Sequence, residues 1–219
     1  MPIATAKTRS ENWDVPVPLL RPKRAMDIAL VLVFSPLITL VIAVVSGFLL
    51  LLGKPVFYSQ MRVGRGGKPF RMWKFNTMVA NADRVLETLL LQNPDAAREW
   101  QETRKLRHDP RVIRFGAFLR KSSLDELPQL WNVLRGDMSL VGPRPVTRTE
   151  LADKYRGSAP AYLKCCPGIT GLWQVSGRNL LRYSERVRLD VAYANRQNLW
   201  LDLQILWHTF GAVLRGTGC

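Results

Sequence analysis

The sequence predicts an α+β, mostly helical fold: a membrane-embedded N-terminal re-entrant helix (helix–break–helix), then a small cytoplasmic domain with a short β-hairpin and amphipathic interfacial helices. Three observations carry this. Residues 28–52 hold no charged side chain, yet Ser35 and Pro36 interrupt the run. Cations flank both of its ends, with Arg21, Lys23 and Arg24 before it and Lys54, Arg62, Arg65, Lys68, Arg71 and Lys74 after it. Beyond it, short aromatic and β-branched runs give way to segments with helical hydrophobic spacing.

Three regions follow. Residues 1–20 contain Pro2, Pro16 and Pro18 with little periodicity and read as a mobile leader. Residues 21–53 form the membrane segment. As a helix, residues 28–52 would extend about 37 Å, enough to span a bilayer, and the run lacks the small-residue cleavage site of a signal peptide. Pro36 removes a backbone donor, so a break at Ser35-Pro36 is expected. No acid stands between Leu52 and Asp83, so both ends favour the cytoplasm under the positive-inside rule. A helix that enters, turns and leaves on one face satisfies both ends and is preferred to a straight span.

Residues 54–219 form the cytoplasmic domain. Val56–Tyr58 and Phe70–Phe75 read as strands joined through the Gly64–Gly67 turn. Residues 81–106 read as two amphipathic helices interrupted at Asn93-Pro94, and further helices are expected over about Asp125–Leu134 and Tyr183–Arg196. Leu199–Leu214 carries Trp200 and Trp207 on a broad apolar face, which suits either the membrane surface or the core.

The net charge of +15 implies an acidic partner: nucleic acid, anionic membrane lipids or a phosphorylated substrate. No nucleic acid is expected, because the basic stretch follows an anchor and no nucleic-acid motif is present. Cys165 and Cys166 are adjacent and form no disulfide framework, and His108 and His208 lack metal-ligand spacing.

Against this basic background stand two adjacent acids, Asp125 and Glu126. Ser123 and Glu126 fit a capping box, which alone would account for them. Their surroundings favour phosphate chemistry, since Arg111, Arg114, Arg120 and Lys121 precede them and Arg135 and Arg144 follow. Pro143 and Pro145 hold Arg144 on a stiff backbone, which serves either a rigid turn or a fixed grip on phosphate oxygens. Residues 167–178 form a glycine-punctuated loop with Gln174 and Arg178, and it is not a Walker loop.

Ser123–Gln129 (SLDELPQ), Leu134–Pro145 (LRGDMSLVGPRP) and Pro167–Asn179 (PGITGLWQVSGRN), read in this order, make the chain resemble the bacterial sugar transferases. These are the monotopic phosphoglycosyl transferases of surface-polysaccharide synthesis. The resemblance starts at Lys23–Asp27, passes through Lys74–Met78, runs to about residue 216, and is strongest to the small ExoY-like undecaprenyl-phosphate galactose phosphotransferases. Asn76 departs from it, where arginine or lysine is usual, as does the less aromatic stretch after Asp190.

The resemblance implies transfer of a hexose 1-phosphate, galactose by likeness, from a UDP-hexose to undecaprenyl phosphate with release of UMP and with Mg2+. It makes this the first membrane step of exopolysaccharide repeat-unit synthesis, on the cytoplasmic face of the bacterial inner membrane. Asp125 would be the nucleophile and Glu126, with Asp125, would hold the metal. Arg120, Arg144, Arg178 and Lys74 would contact phosphate, with Gln174 and Asp190 on the nucleotide or sugar side. A catalytically inactive membrane-bound binding or scaffold subunit is the alternative, and a homo-oligomer is neither required nor excluded.

Overall fold

The uncharged run folds as one long helix in the computed structural model, which describes residues 21–103, 106, 108–177 and 181–214. This helix, α1 (Arg21–Leu51), is followed by the antiparallel hairpin β1 (Phe57–Val63) and β2 (Pro69–Phe75), paired from Phe57 opposite Phe75 to Val63 opposite Pro69. Next come α2 (Ala82–Gln92), α3 (Pro94–Thr103), α4 (Arg114–Lys121) and α5 (Gln129–Arg135). The strand β3 (Ser139–Val141) lies parallel to β4 (Gly168–Thr170). Between these strands run α6 (Arg148–Glu150), a π turn over Leu151–Tyr155 and α7 (Ala159–Leu163). After β4 follow α8 (Leu172–Val175), α9 (Tyr183–Arg196) and α10 (Leu199–Leu214).

Helical structure continues through the expected break in α1, with Pro36 inside it. The side chain next to the proline explains how. Pro36 cannot donate to the carbonyl of Leu32, and the Ser35 hydroxyl donates to that carbonyl instead, at 2.7 Å.

Both ends of α1 pack on the same folded body. At the first end, Lys23 Nζ pairs with Asp202 of α10 at 2.7 Å and donates to the Val141 carbonyl at 2.9 Å. Arg24 donates to the Val133 and Leu134 carbonyls, placing a cation at the C-terminus of α5. Asp27 accepts from the Leu140 amide at 3.1 Å. At the other end, Val45 and Leu49 bury against Phe75 and Leu119, and the Phe48 ring lies 4.4 Å from that of Phe115. Between the two, Leu32, Val33, Phe34, Leu37, Leu40 and Val44 are exposed.

β2, α2, α3, α9 and α10 fall where the sequence puts them, while β1 runs on past the expected Val56–Tyr58 to Val63. The helix expected over Asp125–Leu134 starts four residues late: Leu124–Glu126 is a separate 3-10 turn and Pro128, which has no amide hydrogen to donate, stands immediately before α5. Asn132 binds α5 to the hairpin by completing the outer edge of β2, its Oδ1 accepting from Trp73 N at 3.1 Å and its Nδ2 donating to Arg71 O at 2.8 Å. The parallel pair β3–β4 has no counterpart in the sequence reading, because three-residue strands are too short for period-2 alternation to register.

Asp202→Ala leaves the Lys23 ammonium buried without its counter-charge, and the expected loss is about 3–5 kcal/mol. Chemical denaturation in detergent micelles measures it, and the Lys23→Met/Asp202→Leu double variant should recover most of the loss.

Candidate active site

Asp125 sits in the 3-10 turn between α4 and α5, and Leu124 and Leu127 on either side pack against the second half of α1. Asp125 is 7% exposed, while Glu126 beside it is half-buried. Lys74, near the end of β2, bridges the two acids, its Nζ lying 2.7 Å from Glu126 Oε1 and 3.4 Å from Asp125 Oδ2.

The capping box expected from Ser123 and Glu126 does not form. Ser123 has a left-handed backbone (φ 58°) and no capping side-chain bond, and Glu126 turns to Lys74. A charged partner in a half-buried setting outcompetes a backbone amide for the carboxylate. Burial holds the Asp125 carboxyl above the usual carboxylate range; Lys74 opposes this, Glu126 adds to it and Arg120 opposes it.

Arg120, in the last turn of α4, donates through Nε to Thr77 Oγ1 at 2.9 Å. Close by, Asp109 takes a two-pronged grip from Arg111, with Nε at 2.8 Å and Nη2 at 2.7 Å, and Arg111 lies 5.2 Å from the Trp100 ring centre. Burial raises the Asp109 carboxyl, but the Arg111 bonds outweigh it and hold the group below its usual range. Asn76 faces its own chain, Oδ1 accepting from the Met78 amide at 3.2 Å.

Of the residues singled out from sequence, the fold brings Asp125, Glu126, Lys74 and Arg120 together. Arg144 and Asp190 lie together apart from these, and Gln174 is tied to the backbone of β4. Arg144 lies 5.9 Å and Arg186 5.0 Å from the ring centre of Trp173, and Gln174 Nε2 donates to the Ile169 carbonyl at 3.0 Å. Asp190, 1% exposed, accepts from the Tyr155 hydroxyl at 2.6 Å, and the Arg144 charge reaches it. The Pro143–Pro145 turn that carries Arg144 depends on close backbone crossing, since a Cβ on Gly142 would lie 2.2 Å from the Cys166 carbonyl oxygen. Arg178 lies outside the described residues.

The residues that hold this site in place escaped the sequence reading. Thr77 and Asn132 belong to the quoted motifs or their flanks, but no local pattern marks them, because their partners lie 43 and about 60 positions away. Among the described residues no group of three or more His, Cys, Asp or Glu forms a metal cluster. Two carboxylates completed by substrate phosphates nonetheless make a donor set of the kind Mg2+ takes.

Asp125 and Glu126, bridged by Lys74 and within reach of the Arg120 charge, make a carboxylate pair answered by cations. The chain belongs to the bacterial sugar transferase family, whose profile matches residues 19–216. It is similar to the exopolysaccharide production protein ExoY of Rhizobium meliloti, 48% identical over 200 residues that cover 90% of this chain and 87% of that protein. It is also similar to the UDP-galactose-lipid carrier transferase of Erwinia amylovora, 52% identical over 166 residues, and to the undecaprenyl-phosphate galactose phosphotransferase of Salmonella typhimurium, 51% identical over 166 residues. These two alignments cover 76% of this chain, and the chain spans only 34% and 35% of those longer proteins.

Burial pushes the Asp190 carboxyl up to about 7, with Tyr155 and Arg144 opposing. The folded protein then holds a proton that the unfolded chain loses from its ordinary value of 3.8, so stability falls as pH rises between these two values. Asp190→Asn should flatten that fall and stabilise the protein above pH 7, which thermal unfolding across a pH series measures.

Proposed function

We propose that this chain transfers a hexose 1-phosphate from a UDP-hexose to undecaprenyl phosphate, releasing UMP, as the first membrane step of exopolysaccharide repeat-unit synthesis. The buried Asp125, held beside Glu126 by Lys74 and faced by Arg120, carries this reading. Its carboxylate attacks the phosphorus that bears the sugar; the bond from that phosphorus to the bridging oxygen breaks, and UMP leaves with the oxygen. An oxygen of undecaprenyl phosphate then attacks the same phosphorus and returns Asp125 as a free carboxylate. Lys74 and Arg120 neutralise phosphate charge, and the Arg144 cluster, with Gln174 and Asp190, serves the nucleotide or sugar side. Glu126, with Asp125, would hold Mg2+, which when bound adds charge neutralisation at the transferred phosphate.

Galactose is the preferred hexose. Two relatives named for galactose are 52% and 51% identical to this chain, while the relative from Klebsiella pneumoniae named for glucose 1-phosphate transfer is 38% identical.

The membrane reading is that α1 re-enters the cytoplasmic face of the inner membrane. Its support is that one folded body holds both ends of α1 while the middle exposes a broad apolar surface. Trp200, Leu203, Trp207 and Phe210 share one exposed face of α10 and fit the headgroup region of an anionic membrane.

Membranes containing the protein, incubated with undecaprenyl phosphate and a panel of radiolabelled UDP-sugars, should yield labelled lipid with ping-pong kinetics and UDP-galactose as the preferred donor. Asp125→Asn should abolish UMP release while leaving membrane binding intact; unchanged release would remove the nucleophile assignment. No labelled lipid from any donor would leave the inactive scaffold as the better reading.

For topology, Leu20→Cys and Pro55→Cys, each in a background with Cys165, Cys166 and Cys219 replaced, should both be labelled from the cytoplasmic side. Labelling from opposite sides would reject re-entry.

A further inference from the structure

The side chain that aims Arg120 at the acids lies on a different element from either. Thr77 follows β2, and its backbone is fastened to the start of α4 twice. Ile113 N donates to Thr77 O at 3.0 Å, and Gly116 comes so near that a Cβ there would lie 2.3 Å from the same oxygen. Gly116 and Arg120 are four residues apart on α4 and share a face, so the contact that presses Gly116 onto Thr77 also carries Arg120 to the Thr77 hydroxyl. Thr77 is 6% exposed, and its Oγ1 accepts from Arg120 Nε at 2.9 Å.

That bond uses the one guanidinium nitrogen that lies along the chain of the side chain. The two terminal NH2 groups make no hydrogen bond among the described residues, and the charge of the group is felt by both Asp125 and Asp109. Asp109 is already bound by both prongs of Arg111, so its charge is largely answered. A half-buried guanidinium fork, fixed at its base and unspent at its tips beside a buried acid, fits the oxygens of a phosphate that reaches Asp125.

We propose that Thr77 is a positioning residue for phosphoryl transfer: its hydroxyl locks the Arg120 side chain so that both terminal NH2 groups meet the phosphate transferred at Asp125. This rests on the reading of Asp125 as the reacting group. Thr77 itself touches neither substrate nor reacting atoms. A valine has nearly the same shape and lacks the acceptor, whereas a serine keeps it.

The test compares Thr77→Val, Thr77→Ser and the parent protein in detergent micelles or membranes, with UDP-galactose and undecaprenyl phosphate as probes. Thr77→Val should lower kcat about tenfold with little change in KM for the donor, and Thr77→Ser should restore it to within about twofold. Equal kcat in Thr77→Val would overturn the proposal, as would equal impairment of both variants with a lowered melting temperature. If Asp125→Asn itself retains transfer, the reading of the site fails; if that variant is dead and Thr77→Val is unaffected, the positioning role alone fails.

Discussion

One buried ion pair sets the arrangement on which the other contacts depend. Lys23 and Asp202 are 6% and 0% exposed, and they lie 179 positions apart in the chain. Such a pair persists in a low-dielectric interior only when its remaining hydrogen-bonding capacity is used. Here Lys23 also donates to the Val141 carbonyl, and the Tyr193 hydroxyl donates to Asp202 Oδ1 at 2.7 Å. The first turn of α1, the end of β3, α9 and α10 therefore meet at one charge. Val141 is the last residue of β3 and leads directly into Gly142 and the Pro143–Pro145 turn, so the same contact orients the backbone that carries Arg144. With its first end fixed there, α1 is directed so that Val45 and Leu49 reach Phe75 and Leu119, under the turn that bears Asp125.

The positive surplus is less uniform than a net charge implies. Lys23 and Arg24 are structural, one in an ion pair and the other at the carbonyl end of α5. Arg62 bonds Glu150 at 3.0 Å and the Pro145 carbonyl at 3.3 Å, bracing the second proline of the turn. Arg111 is answered by Asp109. Lys74 and Arg120 differ from these in acting on Asp125, Lys74 at 3.4 Å and Arg120 through its charge, and they belong to different elements, β2 and α4. Their convergence requires the close approach of Thr77 to Gly116. A phosphate site here is a product of packing between a strand end and a helix, rather than of a run of basic sequence.

This distribution explains what could be read from the sequence. The hairpin was legible from its aromatic and β-branched content around the glycine turn and α9 from its helical spacing, and Asn93-Pro94 marks the junction of α2 and α3. Asp125 and Glu126 stood out from the sequence, since adjacent acids in a basic chain are conspicuous, whereas Lys74 entered only through the resemblance. The capping box was misread because the tetrapeptide does not show Lys74, which takes Glu126 away from the backbone. The meeting of Arg144 and Arg186 at the Trp173 ring depends on α8 packing against α9, and nothing local encodes it. Asn132 was equally hidden, since an asparagine in mid-helix gives no sign that it will complete the edge of a strand.

The Ser35-Pro36 pair shows how a residue that interrupts a pattern can still leave a helix hydrogen-bonded. In hydrocarbon an orphaned carbonyl costs several kcal/mol, so a proline within an apolar helix calls for a substitute donor near the carbonyl it deprives. The Ser35 hydroxyl supplies that donor to Leu32. Proline at this position still removes the backbone bond that resists bending, while serine removes the penalty for losing it. A helix so built can bend without leaving an unpaired carbonyl on its apolar surface. Its two ends, bound to one body by the Lys23 contacts and by the Val45–Leu49 contacts, require no more of it than that.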